Sequence, residues 1–372
     1  MERFAFIIHP LDVRDVARKF PLTRFLPPTL VERGVALLPP VKTSHITGVR
    51  SATGAEAEGW FVGCPLTARL MLQLPEEYVL GRIVAAARLA ERLGAGIVGL
   101  GAFTSVVGDA GVTVARRVGI AVTTGNSYTV ATALEGIKKA AELMEVELAR
   151  STAVVLGATG SIGSACARIL ARDVRHLILV GRNQPRLQRL AEHILVESGV
   201  SPQITTDAKG ALRQAEVVVT VTSAVDTVIE PEDLKPGAIV CDVARPRDVS
   251  RRVAELRPDV LVFEGGVVEV PGEVDFHFNF GFPARTAYAC MAETMILALE
   301  GRYENFSLGR DLTVEQIEEI AALARKHGFR LGGLRSFERA LTAEEIARVK
   351  EAAREQRRRP LQVPQAAPAT AN

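Results

Sequence analysis

From Ser151 onward, short apolar runs alternate with amphipathic stretches. Ala153–Leu156, His176–Val180, Val217–Val221, Ala238–Cys241 and Val260–Phe263 have the length and the β-branched, apolar content of strands buried on both faces. Between the first three runs, Ile162–Leu170 and Pro185–Leu195 carry apolar residues at helical spacing. Alternation of this kind predicts a parallel sheet with helices on its faces.

Residues 1–150 predict a second, mixed α/β unit. A strand at Phe4–Ile8 leads into a helix from near Asp12, and Tyr78–Leu93 is an amphipathic helix. Ala95–Ala102 is a short buried strand followed by the loop Phe103-Thr104-Ser105. Ile120–Asn126 is another strand ending in a polar turn, with a helix from Tyr128 to Met144. Polar groups at strand ends are where α/β sheets present ligand contacts, and they are equally ordinary turn and cap chemistry. After Pro283 the pattern turns helical. One helix spans Ala284–Glu300 and stops at Gly301, and a second opens at Thr313 with Gln316 completing a capping box. Beyond Leu334, Thr342 and Glu345 cap a short charged helix. It runs through Arg357-Arg358-Arg359 into the Pro-, Ala- and Gln-rich stretch Pro360–Asn372, whose composition is that of a disordered tail. The expected fold is therefore α/β: a Rossmann-type parallel-sheet domain over 151–283 and an α/β substrate domain over 1–150. Helices over 284–334 fold back on the first domain, and 335–372 is a charged extension.

Composition narrows the classes. With 45 basic and 43 acidic residues, the net charge of +2 lacks the basic excess of a dedicated nucleic-acid binder. Cys64, Cys166, Cys241 and Cys290 are scattered without a CxxC pair or a Cys/His cluster, so no metal site is expected and a reducing cytoplasm fits better than a disulfide framework. The N-terminal apolar run is too short for a signal peptide, and no segment has the roughly 20 apolar residues of a transmembrane span.

The sharpest local signal is Gly157-Ala158-Thr159-Gly160-Ser161-Ile162-Gly163, placed after a strand and opening a helix. Gly157 permits the tight turn, a side chain at Gly160 would obstruct a pyrophosphate, and Gly163 lets helix and strand approach. Free amides at the positive helix end then receive the phosphates. The second strand ends in Gly181-Arg182-Asn183, without the acid that binds the ribose hydroxyl of NAD. Arg182 can pair with a 2′-phosphate, which points to NADP(H). Thr222 and Ser223 are expected near the nicotinamide ribose, and Gly265-Gly266 near the nicotinamide.

For substrate chemistry, Cys290 stands in the first turns of the helix after the Rossmann domain. A helix N-terminus and a nearby Arg285 lower a thiol pKa, whereas Glu293 one turn on raises it. A cysteine is also an ordinary small core residue, the reading given to Cys166 and Cys241. Cys64, in a loop-like stretch, has no evident activating partner. His277, between Phe276 and Phe278, reads as a strand residue, and His9 as a cleft or strand-end residue.

Taken together, several stretches resemble the long-chain acyl-(acyl-carrier-protein) reductase family known from cyanobacteria. They are Ser51–Gly54, Leu100–Ser105, Thr124-Gly125-Asn126, Val155–Ser164, Gly181-Arg182-Asn183, Gly265–Glu269, Ala289–Glu293, Asn305-Phe306-Ser307 and Gly309-Arg310. The resemblance runs from near residue 4 to about Gly333. It implies NADPH-dependent reduction of a fatty acyl thioester to an aldehyde, with Cys290 as the acylated nucleophile. Acyl carrier protein or coenzyme A would be the carrier, and an aldehyde-consuming enzyme a possible partner. Phe103, Thr104, Ser105, Thr124 and Asn126 are expected on the substrate side, with hydroxyls of Thr104, Ser105 and Thr124 or backbone amides stabilising an oxyanion. Gly272–Pro283 and the tail depart from the family pattern. Two further readings stand beside this one: a shikimate/quinate-dehydrogenase-like NADP(H) oxidoreductase without covalent catalysis, and an NADP(H)-binding sensor module.

Overall fold

The computed structural model describes residues 1–19, 21–224 and 226–358; Arg359 and the expected tail Pro360–Asn372 lie outside the described residues. The first sheet is built from β1 (Glu2–Ile8), β2 (Val41–Arg50), β3 (Glu56–Gly63), β4 (Ile97–Leu100) and β5 (Ala121–Thr123). The second comprises β6 (Thr152–Leu156), β7 (His176–Val180), β8 (Gln203–Thr205), β9 (Val217–Thr220), β10 (Ile239–Asp242) and β11 (Leu261–Glu264). Every pairing in the second sheet is parallel, in the order β11-β10-β9-β6-β7-β8. Counted from β6 this is the 3-2-1-4-5-6 order of a dinucleotide-binding fold. The expected parallel sheet is present, with β8, which has no apolar run to announce it, as an additional edge strand.

After β11 the chain returns to the first unit. Three short strands follow: β12 (Val267–Glu269), β13 (Gly272–Asp275) and β14 (Thr286–Tyr288). The first sheet is then β13-β2-β3-β1-β4-β5, parallel from β3 to β5 and antiparallel at β13-β2-β3. Gly272–Asp275 thus belongs physically to the first sheet, although it falls inside the sequence block 151–283. His277 lies beyond that strand, in a bend with φ +47.

The helices that matter are α1 (Val13–Lys19), α2 (Pro28–Leu37), α3 (Glu76–Arg92), α4 (Asn126–Met144), α5 (Ser161–Leu170), α6 (Gln184–Ser198), α7 (Ala289–Leu299), α8 (Val314–His327) and α9 (Ala343–Arg358). The expected helix Ala284–Glu300 starts only at Ala289, because Thr286–Tyr288 is taken up as β14 against β12 and Arg285 has a positive φ of 63°. Helix α9, expected to be short, has 16 residues, and its capping box is made by Thr342 and Glu345. It packs on α4, and Arg357 donates to the Gly237 carbonyl.

Helix α4 joins the halves. Val130, Ala133 and Ile137 are fully buried with Val155, Cys241 and Phe263 in the Rossmann core. The almost wholly apolar α7 packs on α4, β1 and β4, and α8 packs on α4 and α7. Because α7 contacts both α4 and the first sheet, its N-terminus is carried to the cleft between the two sheets.

Candidate active site

The glycine turn follows β6. Gly157 has φ +83, and a Cβ there would stand 2.6 Å from the Val221 carbonyl oxygen. The amides of Gly157 and Ala158 both donate to the Val180 carbonyl, at 3.0 and 3.1 Å, which pins the turn to β7. A Cβ on Gly163 would lie 2.3 Å from the Gly157 oxygen, so α5 can approach the strand only with glycine there. Gly160 differs: its added Cβ would meet only the Gly157 oxygen at 3.4 Å, and otherwise faces the cleft. The amides that open α5 have no intrahelical acceptors. Space at Gly160 and unpaired amides beside it are what a pyrophosphate requires. Ala158 is buried beneath the turn, whereas Thr159, Ser161 and Ile162 line the cleft.

Arg182 also lines the cleft, is exposed and makes no ion pair with the described residues, so its guanidinium is free for a 2′-phosphate. Arg186 stands beside it, a second cation that the sequence pattern did not single out. Asn183 is not brought to the cleft: its Oδ1 accepts the Arg186 amide at 3.0 Å and caps α6. Thr222 lines the cleft, but its hydroxyl donates to Asp248 Oδ1 at 2.5 Å and its amide to Oδ2 at 2.9 Å. Buried Asp248 thus sets this loop. Ser223 lines the cleft and is exposed. Gly265 packs its Cα face on Val243 and Cys241, while the carbonyl of Gly266 (φ +78) accepts the Ala289 amide at 2.7 Å. That bond ties the end of the Rossmann sheet to the start of α7.

Cys290 is the second residue of α7 and half-buried at the cleft. The turn Thr124-Gly125-Asn126 lies directly against it: with φ +74 at Gly125, an added Cβ would fall 2.2 Å from the Cys290 Cα. This contact is absent from any reading of local sequence, since the residues are far apart in the chain. Glu293, fully buried, holds the turn in place by accepting the Thr123 hydroxyl at 2.5 Å and the Tyr128 amide at 2.8 Å. Its burial raises its own pKa, partly offset by these donors.

Of the opposing influences on the Cys290 thiol that the sequence offered, those that raise it prevail. Burial pushes it up to about 12; the amides of Met291 and Cys290 oppose that rise, Glu293 adds to it, and Arg245 lowers it. The expected cation, Arg285, instead turns toward Glu269 and Glu273, at 3.7 and 3.5 Å. Arg245, which lines the same cavity, is the cation that lowers the thiol. Its Nε donates to the Tyr288 hydroxyl at 3.2 Å, and its Nη1 to the Ala244 carbonyl at 2.6 Å. Cys166 and Cys241 are buried in the core, and burial raises Cys64, in its loop, to about 12.

The hydroxyls expected to stabilise an oxyanion are committed elsewhere. Thr104 donates to Gly101 O at 2.8 Å, Ser105 to Ala102 O at 2.7 Å and Thr124 to Ser307 O at 2.5 Å. Thr104 is buried behind the cleft wall. Asn126, by contrast, lines the cleft and its carboxamide has no hydrogen-bond partner among the described residues. Phe103 lines the cleft and fixes His9: its amide donates to His9 Nε2 at 3.1 Å, and His9 Nδ1 faces the Pro10 carbonyl at 3.0 Å. Burial holds the imidazole down at about 4, so it is neutral at pH 7.

The glycine turn, Arg182, Cys290, Asn126, Phe103 and His9 open on one cavity of about 960 Å³. Ile8, Val16, Val35, Leu38, Phe278 and Phe280 give it an apolar wall. Phe278 meets Phe61 edge to face at 6.1 Å, and Phe280 belongs to a set in which Phe276, Phe280, Phe282 and Tyr288 meet edge to face at 5.1, 5.5 and 4.6 Å. The departure of Gly272–Pro283 from the family pattern therefore falls on this wall.

A 3-2-1-4-5-6 parallel sheet, a glycine turn open to the cleft at Gly160, and at the end of β7 an arginine without an ion pair among the described residues define an NADP(H)-binding oxidoreductase of the Rossmann type. Residues 138–264 match the Shikimate / quinate 5-dehydrogenase family, which covers the cofactor-binding half together with the end of α4. The long-chain acyl-(acyl-carrier-protein) reductase of Synechococcus elongatus is 31% identical over 333 residues, 86% of this chain and 94% of that protein. The chain belongs to that reductase family. Aminotransferase PigE of a Serratia species is 32% identical over 362 residues, 94% of this chain but only 42% of that longer protein. Glutamyl-tRNA reductase of Corynebacterium glutamicum is 37% identical over a 117-residue segment, 30% of this chain and 25% of that protein.

Proposed function

We propose that this protein reduces a fatty acyl thioester to the aldehyde, with NADPH as reductant and Cys290 as the acyl carrier between two half-reactions. The observation that carries this reading is that one cavity is lined at once by a dinucleotide cradle, a half-buried thiol and a set of apolar side chains. A non-covalent dehydrogenase has no use for a thiol there. In this reading Gly157–Gly163, Arg182, Thr222, Ser223, Gly265 and Gly266 hold the cofactor, and the first domain takes the acyl chain. Bound NADPH supplies a hydride to the acyl carbon.

The chain's own groups do the rest. The Cys290 sulfur adds to the thioester carbonyl, the bond to the carrier thiol breaks, and the carrier leaves with the proton that Cys290 gave up. After hydride addition the tetrahedral alkoxide collapses, releasing aldehyde and Cys290 thiolate, which takes one proton from solvent to restore the thiol. The Asn126 carboxamide, without a hydrogen-bond partner among the described residues, is a donor for the acyl oxygen. The apolar wall orients the chain and keeps water from the acyl-enzyme. The carrier is acyl carrier protein or coenzyme A. The reductase-like segment of the longer aminotransferase relative fits a following enzyme that consumes the aldehyde.

The raised thiol favours one rival, a dehydrogenase of the shikimate/quinate type acting without a covalent intermediate. Intact-mass measurement after mixing with a long-chain acyl thioester, without NADPH, separates the two. The proposal expects one acyl group on Cys290, lost on adding NADPH, and no turnover by Cys290→Ser. Unmodified protein that still binds NADPH, or a Cys290→Ser variant with undiminished reductase activity, overturns it.

A further inference from the structure

Tyr288 is the cap residue of α7, two positions before Cys290, and its side chain lines the same cavity. Its phenol oxygen accepts a hydrogen bond from Arg245 Nε at 3.2 Å, and this is the single hydrogen bond of that hydroxyl among the described residues. A phenol that accepts through oxygen still has its proton to give. That proton has no acceptor among the described residues.

The guanidinium behind it cannot swing away. Nη1 donates to the Ala244 carbonyl at 2.6 Å, Nη2 stands 3.8 Å from the buried Glu264 carboxylate, and the group lies 5.2 Å from the centre of the Tyr288 ring. The ring itself is set edge-on against Phe282 at 4.6 Å. A cation fixed on the phenol oxygen polarises the O–H bond and strengthens the donor. The arrangement is a preorganised hydrogen-bond donor, backed by a positive charge, in the cavity that Cys290 also lines, where the acyl group is attached in the reading above.

We infer that the Tyr288 hydroxyl donates to the acyl oxygen as it gains negative charge, and that Arg245 is the positioning residue that holds and polarises Tyr288. The inference rests on acylation of Cys290. Negative charge reaches that oxygen twice, when sulfur adds to the thioester and when hydride adds to the acyl-enzyme, so one donor serves both half-reactions. No proton is transferred: the oxygen returns to a carbonyl each time the tetrahedral species collapses.

The test uses the full-length protein and a long-chain acyl-coenzyme A. Tyr288→Phe keeps the ring and its contact with Phe282 and removes only the hydroxyl. The rate of acyl-adduct formation is followed by quenched mass spectrometry, and the rate of adduct loss after NADPH addition is read separately. Loss of one oxyanion donor lowers rates by about 10²–10³-fold, so both rates should fall by that order, with KM for the thioester and Kd for NADPH near wild type. Arg245→Met should slow both steps. In adduct loss, where the sulfur is acylated and its ionisation no longer matters, the double variant should be no slower than Tyr288→Phe alone, since there Arg245 acts through the phenol. Arg245→Lys should recover part of the loss. Tyr288→Phe rates within threefold of wild type, or additive losses of the double variant in adduct loss, overturn the inference while leaving Cys290 in place. Wild-type protein that forms no adduct overturns both.

Discussion

Replacing Gly160 with alanine adds one methyl group at a position where the protein itself leaves room. The only neighbour the new Cβ meets is the Gly157 oxygen at 3.4 Å, and the backbone (φ −81, ψ 167) suits any residue. The fold loses at most the preference for glycine over alanine at a helix cap, about 1 kcal/mol, or roughly 2–4 °C in melting temperature. The phosphate-binding amides are then screened by the methyl group. Two charge-assisted hydrogen bonds at about 1.5–3 kcal/mol each amount to a loss of affinity of a hundredfold or more. Gly163→Ala is the opposite case: its Cβ would stand 2.3 Å from Gly157 O and 3.1 Å from the Ala158 Cα, both backbone, so α5 must move. Overpacking of that kind costs about 1–3 kcal/mol. The assay is thermal unfolding with and without NADPH, together with Kd from nicotinamide fluorescence. Ligand at 100 times Kd stabilises by about 2.7 kcal/mol, and Gly160→Ala should lose that shift while Gly163→Ala lowers the apo melting point. Wild-type NADPH affinity in Gly160→Ala, or an apo destabilisation matching that of Gly163→Ala, would refute the reasoning.

Arg182→Ala should weaken NADPH by about 5- to 30-fold, from about 1–2 kcal/mol for an exposed charge-assisted contact, and leave NADH within twofold; equal losses for both, measured by titration, would remove the 2′-phosphate assignment. With its thiol pushed up to about 12, free Cys290 should alkylate tenfold faster per pH unit from 7 to 10 without levelling, as followed on its own peptide; a plateau below pH 9 contradicts that burial effect. His9, held down to about 4 mainly by burial, is neutral in the fold, whereas the unfolded imidazole titrates near 6.5. Its contribution to stability is therefore complete above pH 6.5 and lost as pH falls toward 4, by roughly 2–3 kcal/mol. Urea unfolding of His9→Asn should show a flatter decline than wild type across that window, and parallel declines would contradict it.

The Rossmann half was legible because its determinants are local. Each strand is a continuous apolar run, each helix carries its own periodicity, and the Gly157–Gly163 turn needs glycine for reasons within a few residues of itself. Edges and ends were harder. β8 has little apolar pattern, and α7 begins five residues later than its periodicity suggests because β12 captures Thr286–Tyr288. The start of a helix is set here by a strand partner about twenty residues earlier in the chain.

The substrate side was legible as residue types but not as roles. Thr104, Ser105 and Thr124 carry the right hydroxyls, yet each donates to a backbone carbonyl that only the folded loop supplies. Arg285 is near Cys290 in sequence and turned away from it in space, while Arg245, 45 positions upstream, is the cation that acts on the thiol. Hydrogen bonding and desolvation are three-dimensional sums over neighbours, and no spacing rule encodes them.

What the sequence determined by itself is the cofactor half: propensity, periodicity and glycine geometry act over a few residues. What the tertiary structure alone decided is the environment of Cys290. Packing of α7 between α4 and the first sheet half-buries Cys290 and sets Gly125 against it, and the fold brings Arg245 and Tyr288 into the same cavity, because long-range contacts fix which charges and donors share a cavity.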